Sequence, residues 1–303
     1  MEFRQLEYFV ALAREQHFAR AAASCYVSQP ALSAAISKLE RELDVSVIQR
    51  DRAFQGLTPE GERLVDWARR IIAERDALQA EAHAVRSGLT GTLRIGVVPT
   101  ASTTVALPVE AFCAAHPRVT VRVRTRMSED DIRRCLREFE LDAAITYLDS
   151  DDTSGLSVEP LYRERYVLIA PARLVDPAAT SITWRAAATL PLALIEPRMH
   201  SRELIERAWR ANALMVTPQL ETDSIAMLYA AAGTGHWASI VPHSWVHAFG
   251  LSSESRVVLL TEPELTATVG IARSAAVPGS SAARAFVSLA SRLNLDTVLD
   301  LAL

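Results

Sequence analysis

With 303 residues, half of them hydrophobic, the chain is long enough to fold as two or three domains, each with its own core. A formal charge of −4 excludes the strongly basic balance that usually marks nucleic-acid binding, so any such contact must rest on locally placed charge. No apolar run approaches the roughly 20 residues needed to cross a bilayer, and Glu2, Arg4 and Glu7 leave no evident signal peptide, so a cytoplasmic protein is expected.

A first helix is expected over Arg4–Arg14, with Leu6, Phe9, Val10 and Leu12 as its apolar face. The stretch Phe18–Leu39 then reads as two short helices joined by a tight turn, the pattern of a helix-turn-helix whose second helix can enter the major groove of DNA. Ser28 is placed as an N-cap, and Pro30 falls in the first turn, where its missing N–H costs nothing. Leu32, Ile36, Leu39 and Leu43 form one apolar stripe, leaving Gln29, Ser33, Ser37 and Lys38 on the wet side. The same signals describe an ordinary pair of packed helices. Val47–Thr58 favours the first reading: it looks like a strand, a basic tip and a return strand, a wing that sets Arg50 or Arg52 against phosphates or the minor groove. Within residues 1–58, however, the arginines and Lys38 are matched by acids, which implies weak non-specific binding and a need for more than one reading head.

Thr58, Pro59, Glu60 and Glu62 make a helix start, and the helix runs to about Arg86, before Ser87-Gly88. Leu64, Ala68, Ile71, Arg75, Leu78, Ala82 and Val85 fall at alternating four- and three-residue steps, a heptad seam interrupted at Arg75. Such a helix either packs on its own domain or pairs with a second chain. Its length and its place between domains favour pairing, with Arg75 setting register. From Thr92 strands and helices alternate: strands at Leu93–Val98, Val119–Arg124, Leu141–Tyr147, Tyr166–Ile169, Leu192–Ile195, Pro218–Leu220, Ala238–Val241 and Thr266–Ala272, with helices after Thr104, Ser128, Ser201, Ser224 and Ser281. Thr100-Ala-Ser102-Thr103-Thr104 at a helix start offers more hydroxyls than capping needs and suits a carboxylate or other anion. Cys25, Cys113 and Cys135 are odd in number and widely spaced. They fit free, packed thiols in a reducing compartment, with a Cys113–Cys135 redox pair as the lesser alternative.

Met1-Glu-Phe-Arg-Gln-Leu6 with Phe9-Val10, His17-Phe18-Ala-Arg-Ala-Ala22, Val27-Ser28-Gln29-Pro30-Ala-Leu-Ser33, Leu39-Glu40, Glu42-Leu43 and Leu57-Thr58-Pro59-Glu60-Gly61 closely resemble the LysR-type transcriptional regulators. The resemblance implies an α/β chain with a winged helix-turn-helix over 1–58, a linker and dimerisation helix over 59–88, and a two-lobed, type 2 periplasmic-binding-protein-like effector domain over 91–303. Lobe I would take about 91–164 and 267–303, and lobe II about 165–266. It implies double-stranded DNA, a small effector and a second copy of the chain as partners, in a dimer through the long helix and a tetramer through the effector domains, with no membrane and no cofactor. Ser28, Gln29, Pro30, Ser33, Ser37, Lys38, Arg50 and Arg52 become the DNA-facing set. Gln29 suits it, because a glutamine amide pairs bidentately with adenine. Position 34, often arginine in the family, is Ala34 here, which removes one contact. Beside Thr100, Ser102 and Thr103, family positions add Ser128, Thr146, His200, Thr222 and Ser224 to the effector set.

An enzyme is not expected. Ser102, His200 and Asp223 contain the letters of a hydrolase triad, but no Gly-x-Ser-x-Gly elbow is present. Gly233-Thr-Gly235-His236 is too short for a phosphate loop and precedes a strand, and no histidine–cysteine set has zinc spacing. A solute carrier, the other alternative, does not account for the N-terminal helix-turn-helix.

Overall fold

The computed structural model describes residues 1–50, 54–149, 153–276 and 279–300. Its N-terminal head is built by short-range signals. Helix α1 (Phe3–Glu15) starts where the Glu2 N–H donates to Gln5 Oε1 at 2.6 Å. Helix α2 (Phe18–Ser24) is capped by His17 Nδ1, and α3 (Gln29–Leu43) by Ser28 Oγ, which accepts from Ala31 N at 3.4 Å. Between them Tyr26 takes a left-handed φ of 56°. Leu6, Phe9, Leu12, Ala21, Leu32, Ile36 and Leu39 interlock in the core, Ala21 and Leu39 with no exposed area at all. Strands β1 (Ile48–Arg50) and β2 (Phe54–Leu57) pair antiparallel as the wing.

Helix α4 (Pro59–Ser87) follows, capped by Thr58 Oγ1 from Gly61 N at 2.9 Å. Its expected seam is divided between two environments. Leu64, Ala68 and Ile71 pack into the head's own core, and Arg75 ion-pairs with Glu7 of α1 at 2.5 Å while lying over the Phe3 ring. Arg75 therefore ties α4 to its own head and is not a lone charge in a seam. Only the later part, Leu78, Ala82 and Val85, is exposed, together with Trp67 on another face.

From Gly91 the chain lays down β3 (Gly91–Val97), α5 (Ala106–Ala115), β4 (Val119–Arg124), α6 (Glu129–Arg137) and β5 (Ala143–Tyr147), with β3 parallel to both β4 and β5. Strand β6 (Leu156–Pro171) leads into β7 (Ser181–Thr183), α7 (Trp184–Ala187), β8 (Ala193–Ile195), α8 (His200–Ala211), β9 (Leu220–Thr222), α9 (Ile225–Gly233), β10 (Ser239–Pro242), α10 (His243–Phe249) and β11 (Ser255–Thr261). Strand β12 (Thr266–Ser274) and α11 (Ser281–Ala290) return to the first group, and α12 (Leu295–Leu299) closes against β6.

The central fact of this topology is β6. Through Arg165 it pairs with β12, and from Tyr166 onward with β10 and β11. One continuous strand thus belongs to both halves, and the change of partners falls at Arg165–Tyr166. The sequence pattern suggests a strand only from Tyr166. The earlier stretch, with Glu159, Arg163, Glu164 and Arg165, is too polar to read as one, yet Glu164 is wholly buried.

Candidate functional site

Two surfaces gather the residues singled out from the sequence. The first is the leading edge of α3. Ser28, Gln29 and Pro30 are exposed and Ser33 is half-buried, so these side chains stand at the helix N-terminus, clear of the apolar stripe. Ser37 is half-buried one turn on. Lys38 is exposed but engaged, its Nζ 2.7 Å from Glu2 Oε1. Of Arg50 the structure gives the backbone, in β1; Arg52 lies outside the described residues. Tyr26, missed by the sequence reading, is 96% exposed in the turn just before this edge. The only clue to it was a large aromatic in a turn that packs nothing.

The second surface is a cleft of about 990 Å³ where the two halves of the C-terminal part face each other. Thr100, Ser102, Ser128, His200 and Ser224 line it, brought from four separate stretches of chain. Three other expected residues do not. Thr146 is the neighbour of Tyr147 in β5, and alternate strand residues point to opposite faces. Tyr147 lines the cleft, so Thr146 turns toward a separate small hollow with Leu156 and Val158. Thr103 Oγ1 is buried off the lining. Thr222 Oγ1 accepts from Ser224 N at 3.0 Å and belongs to the turn. Ser128 and Ser224 spend their hydroxyls as caps, accepting from Asp131 N at 3.1 Å and Met227 N at 3.3 Å.

Among the described residues, charged side chains meet across the cleft at two places. Arg126 reaches Asp223 at 2.6 Å. His200 Nδ1 lies 3.0 Å from Glu129 Oε1 without hydrogen-bond alignment; Glu129 Oε1, and on the far side of the ring His200 Nε2, are buried with no hydrogen-bond partner among the described residues. Burial lifts the Glu129 carboxyl to about 7, against the pull of Arg133, and holds His200 below the usual imidazole range. The His200 ring lies against Tyr147, centroids 4.5 Å apart.

Beneath Tyr147 sits a polar core. Tyr147 donates to Glu164 Oε1 at 2.7 Å, so Thr100 (2.6 Å) and Tyr166 (3.0 Å) are left as donors to the Tyr147 oxygen. The Trp245 indole N–H, from the other half, donates to the Thr100 carbonyl at 2.8 Å. Glu164 therefore lies where β6 changes partners. Its burial pushes the carboxyl up to about 7, while the tyrosine hydroxyls around it pull the other way.

Charge in the cleft differs from the expectation of an anion. Glu129, Asp130, Asp131, Glu196, Glu203 and Asp223 line it, against Arg126, Arg133, Arg198 and a histidine disfavoured as a cation. Among the described residues no cysteine lines it, and Cys135, buried beside Glu140, is held above the ordinary thiol range. Among the described residues no group of three or more side chains is placed to hold a metal ion, and no helix is long and apolar enough to cross a membrane.

Comparison with known proteins gives two family matches. The profile of the bacterial regulatory helix-turn-helix protein, lysR family, covers residues 3–62, and that of the LysR substrate binding domain covers residues 86–293. A probable hydrogen peroxide-inducible genes activator of Mycobacterium xenopi is 40% identical over 167 residues, 55% of this chain and 87% of that protein. A second protein so named, from Streptomyces viridosporus, is 31% identical over 80% of this chain and 78% of its own length. Among solved structures, a full-length OxyR from Pseudomonas aeruginosa, carrying one cysteine-to-aspartate substitution, superposes with a TM-score of 0.75 at 28% identity, covering 98% of this chain and 96% of that one.

Proposed function

Because this chain belongs to the LysR family of DNA-binding transcriptional regulators, we propose that it binds a target promoter as a homo-oligomer and that a small effector in the cleft alters this binding. We take residues 1–58 as the reading head, 59–88 as the linker and 91–303 as the effector domain, in a cytoplasmic protein. The observation that carries the reading is the exposed Ser28-Gln29-Pro30 edge at the start of α3, with Ser33 behind it.

A footprint on the DNA upstream of its own gene tests this. A protected site at moderate salt is expected, and its absence overturns the proposal. Gln29→Ala is expected to cost about 1–3 kcal/mol at one base position, read from binding to single-base operator variants. Equal weakening on all variants would make Gln29 a backbone contact.

The exposed Leu78 and Val85 of α4 supply the oligomer surface, 71% and 81% exposed in the single chain. Leu78→Glu is expected to weaken self-association about tenfold or more, seen by sedimentation, with DNA affinity falling alongside it because two half-sites need two heads.

Helix α6 offers a path from effector to DNA. Its first residue, Glu129, is in the cleft, and its C-cap, Glu138, meets Arg69 of α4 at 3.2 Å. Ligand that shifts Glu129 relative to His200 thus moves a rod whose far end touches the linker. Coupling requires the ligand to bind the two placements unequally.

Peroxide response, suggested by the names of the relatives, finds little support in the thiols. Cys25 is in the head, Cys113 in α5, and Cys135 is buried with its thiolate disfavoured.

A further inference from the structure

We infer that the effector is an organic cation, carrying an ammonium or guanidinium group held by Glu129 and Glu196. The inference rests on the cleft being the effector site and adds the chemical class of what fills it.

A helix N-terminus facing a cleft ordinarily attracts anions, because its orphaned N–H groups and dipole present positive charge. Here the chain supplies its own anions. Glu129, Asp130 and Asp131 occupy the first turn of α6, with Ser128 bonded to Asp131; Glu203 occupies the first turn of α8; Asp223 precedes the Ser224 cap of α9. The positive ends are already compensated.

The lining charges are then paired off unevenly. Asp130 is held by Arg133, Asp131 by Arg134 and by Ser128, and Asp223 by Arg126. Glu196 and Glu203 have no ion-pair partner among the described residues, and Glu129 has the unaligned contact with His200 and the longer-range pull of Arg133, which also holds Asp130. Against them stands Arg198. An anion entering this space meets carboxylates, whereas a cation completes them.

Glu129 is the strongest of these positions. Its side chain is 15% exposed and lines the cavity, and its buried Oε1 has no hydrogen-bond partner among the described residues. A cation there restores the ionised form that burial disfavours. Ser201 adds a second, independent mark of a ligand. It is 4% exposed, lines the cleft, and its hydroxyl has no hydrogen-bond partner among the described residues. A hydroxyl oxygen can accept from an ammonium or guanidinium N–H beside the carboxylates. The carboxylates form no ligating cluster for a metal ion among the described residues, which leaves a molecule whose N–H donors are spread in space.

The test uses the full-length protein and a panel of aliphatic amines and guanidino compounds, arginine and agmatine included, against carboxylates, glutarate and citrate included. Thermal shift is read first, then calorimetric affinity. Stabilisation by members of the cationic set, with none from the carboxylates, is expected. Glu129→Gln and Glu196→Gln should each weaken the best cation roughly tenfold or more, the loss of one charge-assisted hydrogen bond. Stabilisation by carboxylates instead, no binding by any cation, or cation affinity indifferent to both substitutions overturns the assignment. Operator binding is measured separately with and without the best cation. Cation binding that leaves operator affinity unchanged supports the ligand class while counting against the effector reading, so the two fail independently.

Discussion

Glu164→Gln is expected to make the effector domain more stable by up to about 3 kcal/mol at about pH 8, and to leave its stability near the parent's at about pH 5. The folded chain raises the Glu164 carboxyl from its ordinary 4.5 to about 7, because the group has no exposed area and its burial outweighs the tyrosine hydrogen bonds. Between those two values the folded protein keeps a proton that the unfolded chain has released. Stability then falls as pH rises, by about 1.4 kcal/mol for each unit of separation, and is level again above about 7. The direction is opposite to that of a salt-bridged carboxylate. Glutamine keeps an oxygen to accept from Tyr147 and has nothing to ionise. Urea unfolding followed by tryptophan fluorescence is a suitable readout, since Trp184, Trp209, Trp237 and Trp245 all lie in this domain. Glu129, also raised to about 7, adds a slope of the same sign that survives in the variant. A variant no more stable than the parent at alkaline pH would show that Glu164 is not the buried acid described.

Gly61→Ala is expected to destabilise the head by about 3 kcal/mol and to abolish operator binding with it. Local preference predicts the reverse, since alanine in a helix is favoured over glycine by about 1 kcal/mol. The difference lies in what α4 rests on. A Cβ at position 61 would stand 2.1 Å from the Val47 carbonyl oxygen and 2.9 Å from its carbon, and both belong to backbone that cannot rotate away. That same carbonyl accepts from Thr58 N at 3.1 Å, and Thr58 Oγ1 donates to Ser46 O at 2.7 Å. The start of the linker, the entry to the wing and the head core meet at this point, so relief by movement breaks the hydrogen bonds that join them. Overpacking of a close backbone contact costs in this range. Thermal unfolding by circular dichroism measures the effect, and any gain in melting temperature would refute the contact.

The head was legible because its signals are short-ranged. A cap and its acceptor N–H are three residues apart, and a helical stripe repeats every three or four residues, so Ser28, Pro30, Leu32, Ile36 and Leu39 could be placed by local sequence alone. The division of α4 was not legible. Its heptad spacing runs unbroken from Leu64 to Val85, and only the position of α1 decides that Arg75 meets Glu7 while Leu78 stays in solvent.

In the effector domain the alternation of strands and helices, the caps at Ser128 and Ser224, and the hydroxyl-bearing turn at Thr100 followed from sequence, since each depends on neighbours along the chain. What faces the cleft followed only in part: Thr100, Ser102, Ser128, His200 and Ser224 do, and Thr103, Thr146 and Thr222 do not. Thr146 and Tyr147 are adjacent letters, and strand alternation gives the cleft to the tyrosine. Glu129 and His200, Arg126 and Asp223, and the Glu164 carboxyl with its tyrosines meet only because β6 joins both halves and folds distant segments together. The acidic character of the cleft emerges from that convergence. Local order follows from backbone hydrogen bonding and hydrophobic period over a few residues. Site chemistry depends on which long-range pairings the sheet makes, and one sequence read along its length does not state them.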